Sequence, residues 1–150
     1  MHTNHIPIYT EIDGKLVSNF FMDEFENPEG WIILHPKIPW ALEMTRAALN
    51  AMARPNIITL HVTDTTRTKN QLDVMGHKYG WIDQGGKVSR RSYHLVGFGG
   101  IAVDFYARNK TLGVNVPVKG VADVAGLYFD YVQAYDDGHV HGDFRSLANR

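Results

Sequence analysis

The order in which two periodicities occur restricts the fold of this chain more than any other feature of it. One long helix-like stretch, from about Pro39 to Ala53, comes first, and short runs with strand character follow. Ile38, Leu42, Leu49 and Met52 recur at the spacing of one helix face, Pro39 suits a first turn, and Arg54-Pro55-Asn56 ends the pattern. The β-branched run Ile57 to Thr63 then reads as a buried strand. Gly100 to Phe105 reads as a second strand and Leu127 to Tyr135 as a third; beyond the turn Asp136-Asp137-Gly138, His139 to Phe144 pairs back as a fourth. Asn70 to Tyr79 and Val118 to Ala125 read as short helices between them. Ahead of the long helix, Ile6 to Ile12 is expected to be a strand turning at Asp13-Gly14. Ser18 to Phe25 is expected to form a short helical turn, ended by Asn27-Pro28-Glu29-Gly30. A helix followed by strands, without regular strand–helix alternation, predicts an α+β domain: a small antiparallel sheet flanked by helices. A length of 150 residues fits a single domain, 1–150.

Composition narrows the chemistry. The chain has no cysteine, which excludes disulfide scaffolds, thiolate metal sites and thiol nucleophiles. Any metal must therefore be held by His, Asp or Glu, and there are eight histidines. Fifteen basic against 16 acidic side chains leave a net charge of −1, which argues against a nucleic-acid partner bound through a broad basic field. No run approaches the roughly 20 apolar residues of a membrane span. The N-terminal Met1-His2-Thr3-Asn4-His5-Ile6-Pro7 lacks the basic and apolar regions of a signal peptide, so no export signal is expected in the chain.

Two segments carry the candidate chemistry. One is Ser92-Tyr93-His94 with Gly100-Ile101-Ala102-Val103-Asp104-Phe105; the other is His139-Val140-His141-Gly142-Asp143-Phe144-Arg145. Side chains alternate faces along a strand, so His139 and His141 point the same way, one pleat apart. An aspartate ending another strand and a histidine on the loop before it can complete a two-histidine, one-carboxylate shell. Zinc accepts such a shell and keeps a fourth position for water. The plain alternative is a hydrogen-bonded structural cluster. The other histidines have ordinary readings: His61 packed within its strand, His35 structural before Pro36, His2 and His5 near the terminus in solvent, and His77 in a polar segment.

These residues resemble the zinc D-alanyl-D-alanine carboxypeptidases and related peptidoglycan peptidases, which share their fold with the Hedgehog signalling domain. That family's pattern is S-x-H-x-x-G-x-A-x-D, followed later by H-x-H or aromatic-x-H and then x-D-x-R. Ser18 to Phe25 resembles its S-x-N-F-x-x-x-E-F opening, Thr65-Thr66-Arg67-Thr68 stands where it has G-Y-R-S/T, and Tyr135 to Arg145 resembles its closing segment. The resemblance implies that His94, Asp104 and His141 are zinc ligands and that His139 acts beside the metal on the scissile carbonyl or the leaving amine. It further implies that Arg67 meets the substrate's carboxylate or oxyanion, that Ser92 hydrogen-bonds substrate, and that Asp143 and Arg145 support the ligands. A second alignment makes His139 the ligand and Asp136 the base; Asp137 is a further candidate for that role.

The chain departs from the pattern in two places. His94 and Asp104 are ten residues apart, three more than in the family, and Gly97, Gly99 and Gly100 would let the extra residues loop out. Thr65-Thr66 also replaces the usual Gly-Tyr before the arginine. What the resemblance implies is a zinc-dependent hydrolase of peptidoglycan stem peptides, cutting as a D,D-carboxypeptidase or an endopeptidase. It would be made in the cytoplasm and act on the cell wall, in phage lysis or as part of a virion. The competing expectation is a non-catalytic wall-binding or virion module that keeps the fold.

Overall fold

A computed structural model describes residues 5–67, 74–75, 77–80, 93–94 and 98–148. The chain begins with a hairpin, β1 (Pro7–Ile12) and β2 (Lys15–Phe21), paired antiparallel as a two-stranded sheet. A 3-10 turn, Met22–Phe25, follows. The expectation of a helical turn over Ser18–Phe25 is therefore corrected for its first half. Asp13-Gly14 turns the chain tightly enough that Leu16 and Val17 pair with Glu11 and Thr10, and the ladder runs on to Phe21. The turn begins only at Met22, where Glu24 accepts the Phe21 backbone N–H at 2.7 Å.

The long helix, α1, spans Lys37–Ala53, with Pro39 in its first turn as the sequence indicates. Ile38, Leu42 and Leu49 are buried, but Met52, in the last turn of the same stripe, is 74% exposed. Asn50 fixes the exit of the helix: its side chain accepts the Ile58 N–H at 2.8 Å and donates to the Ile58 carbonyl at 2.9 Å, docking the start of β3 (Ile58–Asp64). The other strands are β4 (Ala102–Asn109), β5 (Val114–Asn115), β6 (Tyr131–Ala134) and β7 (Val140–Asp143). A second helix, α2 (Val118–Ala125), stands where the sequence indicates one. Residues 74–75 and 77–79 are helical; the rest of the helix expected over Asn70–Tyr79 lies outside the described residues.

The larger sheet runs β3-β4-β7-β6, with β5 on β4, and every pairing is antiparallel. The fold is thus α+β with two antiparallel sheets, where one small sheet was expected. The third strand is shorter than expected because residues 126–130 turn and bend before pairing starts at Tyr131. Among the described residues, no helix is long and apolar enough to cross a membrane.

β4 is the spine of this arrangement. Val103, Phe105 and Ala107 are at most 1% exposed and join Ile38, Leu42 and Val121 in the core. Burying side chains the size of Val103 and Phe105 stabilises the fold by about 2 kcal/mol each, which anchors the strand and fixes its register. The alternate residues, Asp104, Tyr106 and Arg108, must then lie on the opposite face. Gly142 on β7 keeps the layers close: a Cβ there would stand 2.8 Å from the Phe129 ring.

Candidate metal centre

The register of the sheet assembles the site. Asp104 on β4 lies directly across from His141 on β7, and Gln133 on β6 lies on the other side of His141. A bulge between Val62 and Asp64 sets Asp64 opposite Asp104 on the β3 side. His94 comes from the connection before β4. Its ring Nδ1 donates to the Thr65 carbonyl, and its carbonyl accepts the Arg67 N–H at 2.6 Å, tying the two segments together. Gly100 permits the return: its φ is +73°, and a Cβ would sit 2.3 Å from the Ile33 carbonyl oxygen. Of residues 95–100, where the three-residue excess was expected to loop out, 95–97 lie outside the described residues; the longer spacing does not part His94 from Asp104.

His94 Nε2, Asp104 Oδ1 and His141 Nδ1 form a nearly equilateral triangle. The separations are 3.1 Å for His94–Asp104, 3.0 Å for His141–Asp104 and 3.1 Å for His94–His141. All three residues are buried, and together they form a group able to hold a metal ion. Donors on a tetrahedral zinc at about 2.0–2.1 Å stand about 3.3 Å apart, close to what is found. The partners of the outer ring nitrogens agree with this, for rings that have given up the proton shared with Asp104. His94 commits Nδ1–H to Thr65, and His141 commits Nε2–H to Asp143 Oδ2 at 2.7 Å, so each ring turns a lone pair towards Asp104. An acceptor behind each imidazole is the support that metal-binding histidines need. Asp143 is fully buried and accepts from Arg145 Nε, Nη2 and backbone N at 2.9–3.0 Å. The Arg145 guanidinium in turn lies 3.6 Å from the Tyr131 ring centroid and 4.5 Å from that of Tyr93.

Three acceptors at this distance require a positive charge among them, whether a proton or a metal ion. Burial alone would lower His141, but hydrogen bonds to Asp104 and Asp143 outweigh it and push the imidazole up to about 9. Burial would raise Asp104, yet the hydrogen bonds and charges of His141 and His94 hold it well below the usual carboxylate range. Asp143 is lowered in the same way, its burial overcome by hydrogen bonds from His141 and Arg145. The group is thus built to hold positive charge.

His139 sits beside this triangle, outside it. Its Nε2 is 3.8 Å from Asp104 Oδ2, its ring stacks on Tyr135 at 4.4 Å, and Nδ1 pairs with Asp137. The Asp137 carboxyl is lowered by hydrogen bonds from the His139 backbone and ring. Asp137, with Tyr135 and Gln133, borders a cleft of about 800 Å³ over the centre. Asp136 is exposed in the turn and is not among the residues lining the cleft. Arg67 also borders the cleft, with Nε 2.9 Å from Asp64 Oδ2, a second bond from Nη2 to the same oxygen, and Nη2 3.9 Å from Asp104 Oδ2. Ser92 lies outside the described residues.

The remaining histidines mostly hold structural places. His61 hydrogen-bonds Thr59 at 2.8 Å and stacks on Tyr106, and His35 accepts the Lys37 N–H at 3.1 Å. His5 is exposed, as expected, while its ring stacks on Phe21 at 4.2 Å and pairs with Asp23. His77 is exposed, and His2 lies outside the described residues. Sequence reasoning missed Asp64, Tyr131 and Gln133 at the site. Tyr131, Gln133 and Tyr135 alternate and so share a face, a signal that was present; nothing in the sequence marks the bulge that brings in Asp64.

No family model matches the chain, and neither a curated protein nor a solved structure does. The fold and site define an α+β protein with a buried two-histidine, one-aspartate group able to take a metal ion.

Proposed function

We propose that this chain is a zinc-dependent peptidase of the Hedgehog/D,D-peptidase fold, acting on peptidoglycan stem peptides as a D,D-carboxypeptidase or endopeptidase. The observation that carries the metal part is the triangle of His94 Nε2, Asp104 Oδ1 and His141 Nδ1, with the other ring nitrogen of each histidine tied to an acceptor. Zinc is favoured because two imidazoles and one carboxylate leave a fourth position in its preferred geometry. The substrate class rests on the resemblance of the motifs, together with the cleft of about 800 Å³ over the centre.

A zinc ion held by His94, Asp104 and His141 would supply a water of lowered pKa and a Lewis acid for the carbonyl oxygen. His139 would be the general base: Asp137 and Tyr135 orient its ring so that Nε2 faces Asp104 across 3.8 Å, at the edge of the cleft. It takes that water's proton and returns it to the departing amine. Arg67, fixed by Asp64 at the edge of the centre, sets a guanidinium beside the carbonyl oxygen as negative charge develops there. On this reading the protein acts on the cell wall, in phage lysis or from a virion, and has no nucleic-acid partner.

The test combines metal content after exhaustive dialysis with mass spectrometry of digested peptidoglycan. About one zinc per chain and new stem-peptide fragments are expected. A zinc-free protein that still binds sacculi would replace this reading with that of a non-catalytic wall-binding or virion module.

A further inference from the structure

The outer strand of the larger sheet sets one side chain beside each of Asp143, His141 and His139. Tyr131 on β6 lies across from Asp143 on β7, and Gln133 lies across from His141. Where the two strands run into the turn, Tyr135 donates its N–H to the His139 carbonyl. Residues directly opposite on an antiparallel pair share a face, with Cβ atoms about 5 Å apart. Two of the three have partners that account for them. Tyr135 stacks on His139, and Tyr131 lies against the Arg145 guanidinium that Asp143 holds. Gln133 is different. Its Oε1 accepts the Tyr131 hydroxyl at 3.1 Å, and its Nε2 has no partner among the described residues. The residue is exposed and borders the cleft over the centre.

We propose that Gln133 Nε2 is a substrate-binding donor, which takes a backbone carbonyl oxygen of the peptide beside the scissile bond and sets the register of that peptide over the centre. The ligand comes from the peptidase reading above, on which this inference rests. A glutamine amide on an open surface turns freely, and ordering it costs binding energy. Here the order is built into the protein. Asp143 takes His141 on Oδ2 and Arg145 on both oxygens. The Arg145 guanidinium lies 3.6 Å from the Tyr131 ring centroid, and the Tyr131 hydroxyl fixes the Gln133 oxygen. One buried carboxylate thus orients a candidate ligand and, through two further side chains, an amide beside it. With Oε1 engaged, the outward group of that amide is a donor, and peptide carbonyls are acceptors.

The test uses the zinc-loaded full chain and an N-acetylated stem-type pentapeptide ending in D-alanyl-D-alanine, with cleavage followed by mass spectrometry. Gln133→Met keeps the length of the side chain and removes the donor. It is expected to raise KM about 3–10-fold, with kcat within about twofold and zinc content unchanged. Tyr131→Phe keeps the ring on Arg145 and removes only the hydroxyl. It is expected to raise KM about two- to threefold alone and to add nothing to Gln133→Met. A tyrosine that only packs would not show that coupling. An unaltered KM in Gln133→Met, or full additivity in the double variant, would overturn the proposal.

A binding measurement separates the two failures. In zinc-loaded His139→Ala, calorimetric titration with the same peptide is expected to show about 3–10-fold weaker affinity once Gln133→Met is added. Equal affinities, with cleavage by the native chain intact, overturn the role of Gln133 and leave the peptidase reading standing. An affinity that depends on Gln133, with no cleavage by the native chain, would instead sink the peptidase reading and leave Gln133 as a peptide-binding donor.

Discussion

His139 and His141 leave the chain one pleat apart and end in different surroundings. His141 is 9% exposed, faces His94 and Asp104 through Nδ1, and is held from behind by the fully buried Asp143. His139 keeps a quarter of its side chain exposed and is held by Asp137, whose own side chain is 69% exposed. A ligand needs a fixed lone pair and a dry, charged support; a base needs an orienting partner and access to water. On the proposed reading, these two surroundings suit His141 to the first task and His139 to the second.

Exchanging the two positions gives the sharpest break. His141→Ala is expected to lose zinc entirely on dialysis, while His139→Ala keeps it and loses about 10²–10⁴-fold in turnover. Equal zinc loss in both variants would mean that the two roles are wrongly divided. A smaller effect falls on the support. Asp143→Asn replaces a carboxylate with an amide behind His141 and should weaken zinc binding about 10–100-fold, read by competition with a chromophoric chelator. Unchanged affinity would reduce Asp143 to a packing residue.

The most gradual effect is in pH. In the metal-free protein His141 is raised to about 9 from its ordinary 6.5. Its charged form therefore stabilises the fold in full below about 6.5, and that stability is lost as pH rises through about 9. Asp104 and Asp143 are lowered, so their contribution is present above the ordinary value of 3.8 and is lost as the solution is acidified below it. Denaturant unfolding of metal-free protein should thus give a plateau that falls off on both sides. Zinc must displace the His141 proton, so its affinity should rise nearly tenfold per pH unit from 7 until about pH 9. A flat profile would show that the imidazole carries no proton to displace.

Much of this was legible in the chain. The long helix, α2 and the strands around His61, Asp104 and His141 stand close to where periodicity placed them, because each has one face that must be buried. The three members of the triangle were named from strand alternation and from motif resemblance. The hairpin register was not legible at Ser18–Phe21, where a tight turn four residues upstream overrode local helical character. Asp137, rather than Asp136, stands against His139, since the direction of a turn's side chains depends on how the hairpin closes; here Tyr135 N donates to the His139 carbonyl at 2.9 Å.

What the residues alone determined is the kit: a helix-first α+β chain without thiols, whose strands deliver two histidines and an aspartate as candidate donors. Only the tertiary structure decided which atoms of those donors meet and which imidazole is buried. Periodicity is a property of neighbours along the chain, whereas coordination depends on atoms 10, 37 and 47 residues apart being brought within about 3 Å. That placement comes from the register of β4 against β7 and from the return of the chain at Gly100, neither of which any local stretch of sequence encodes.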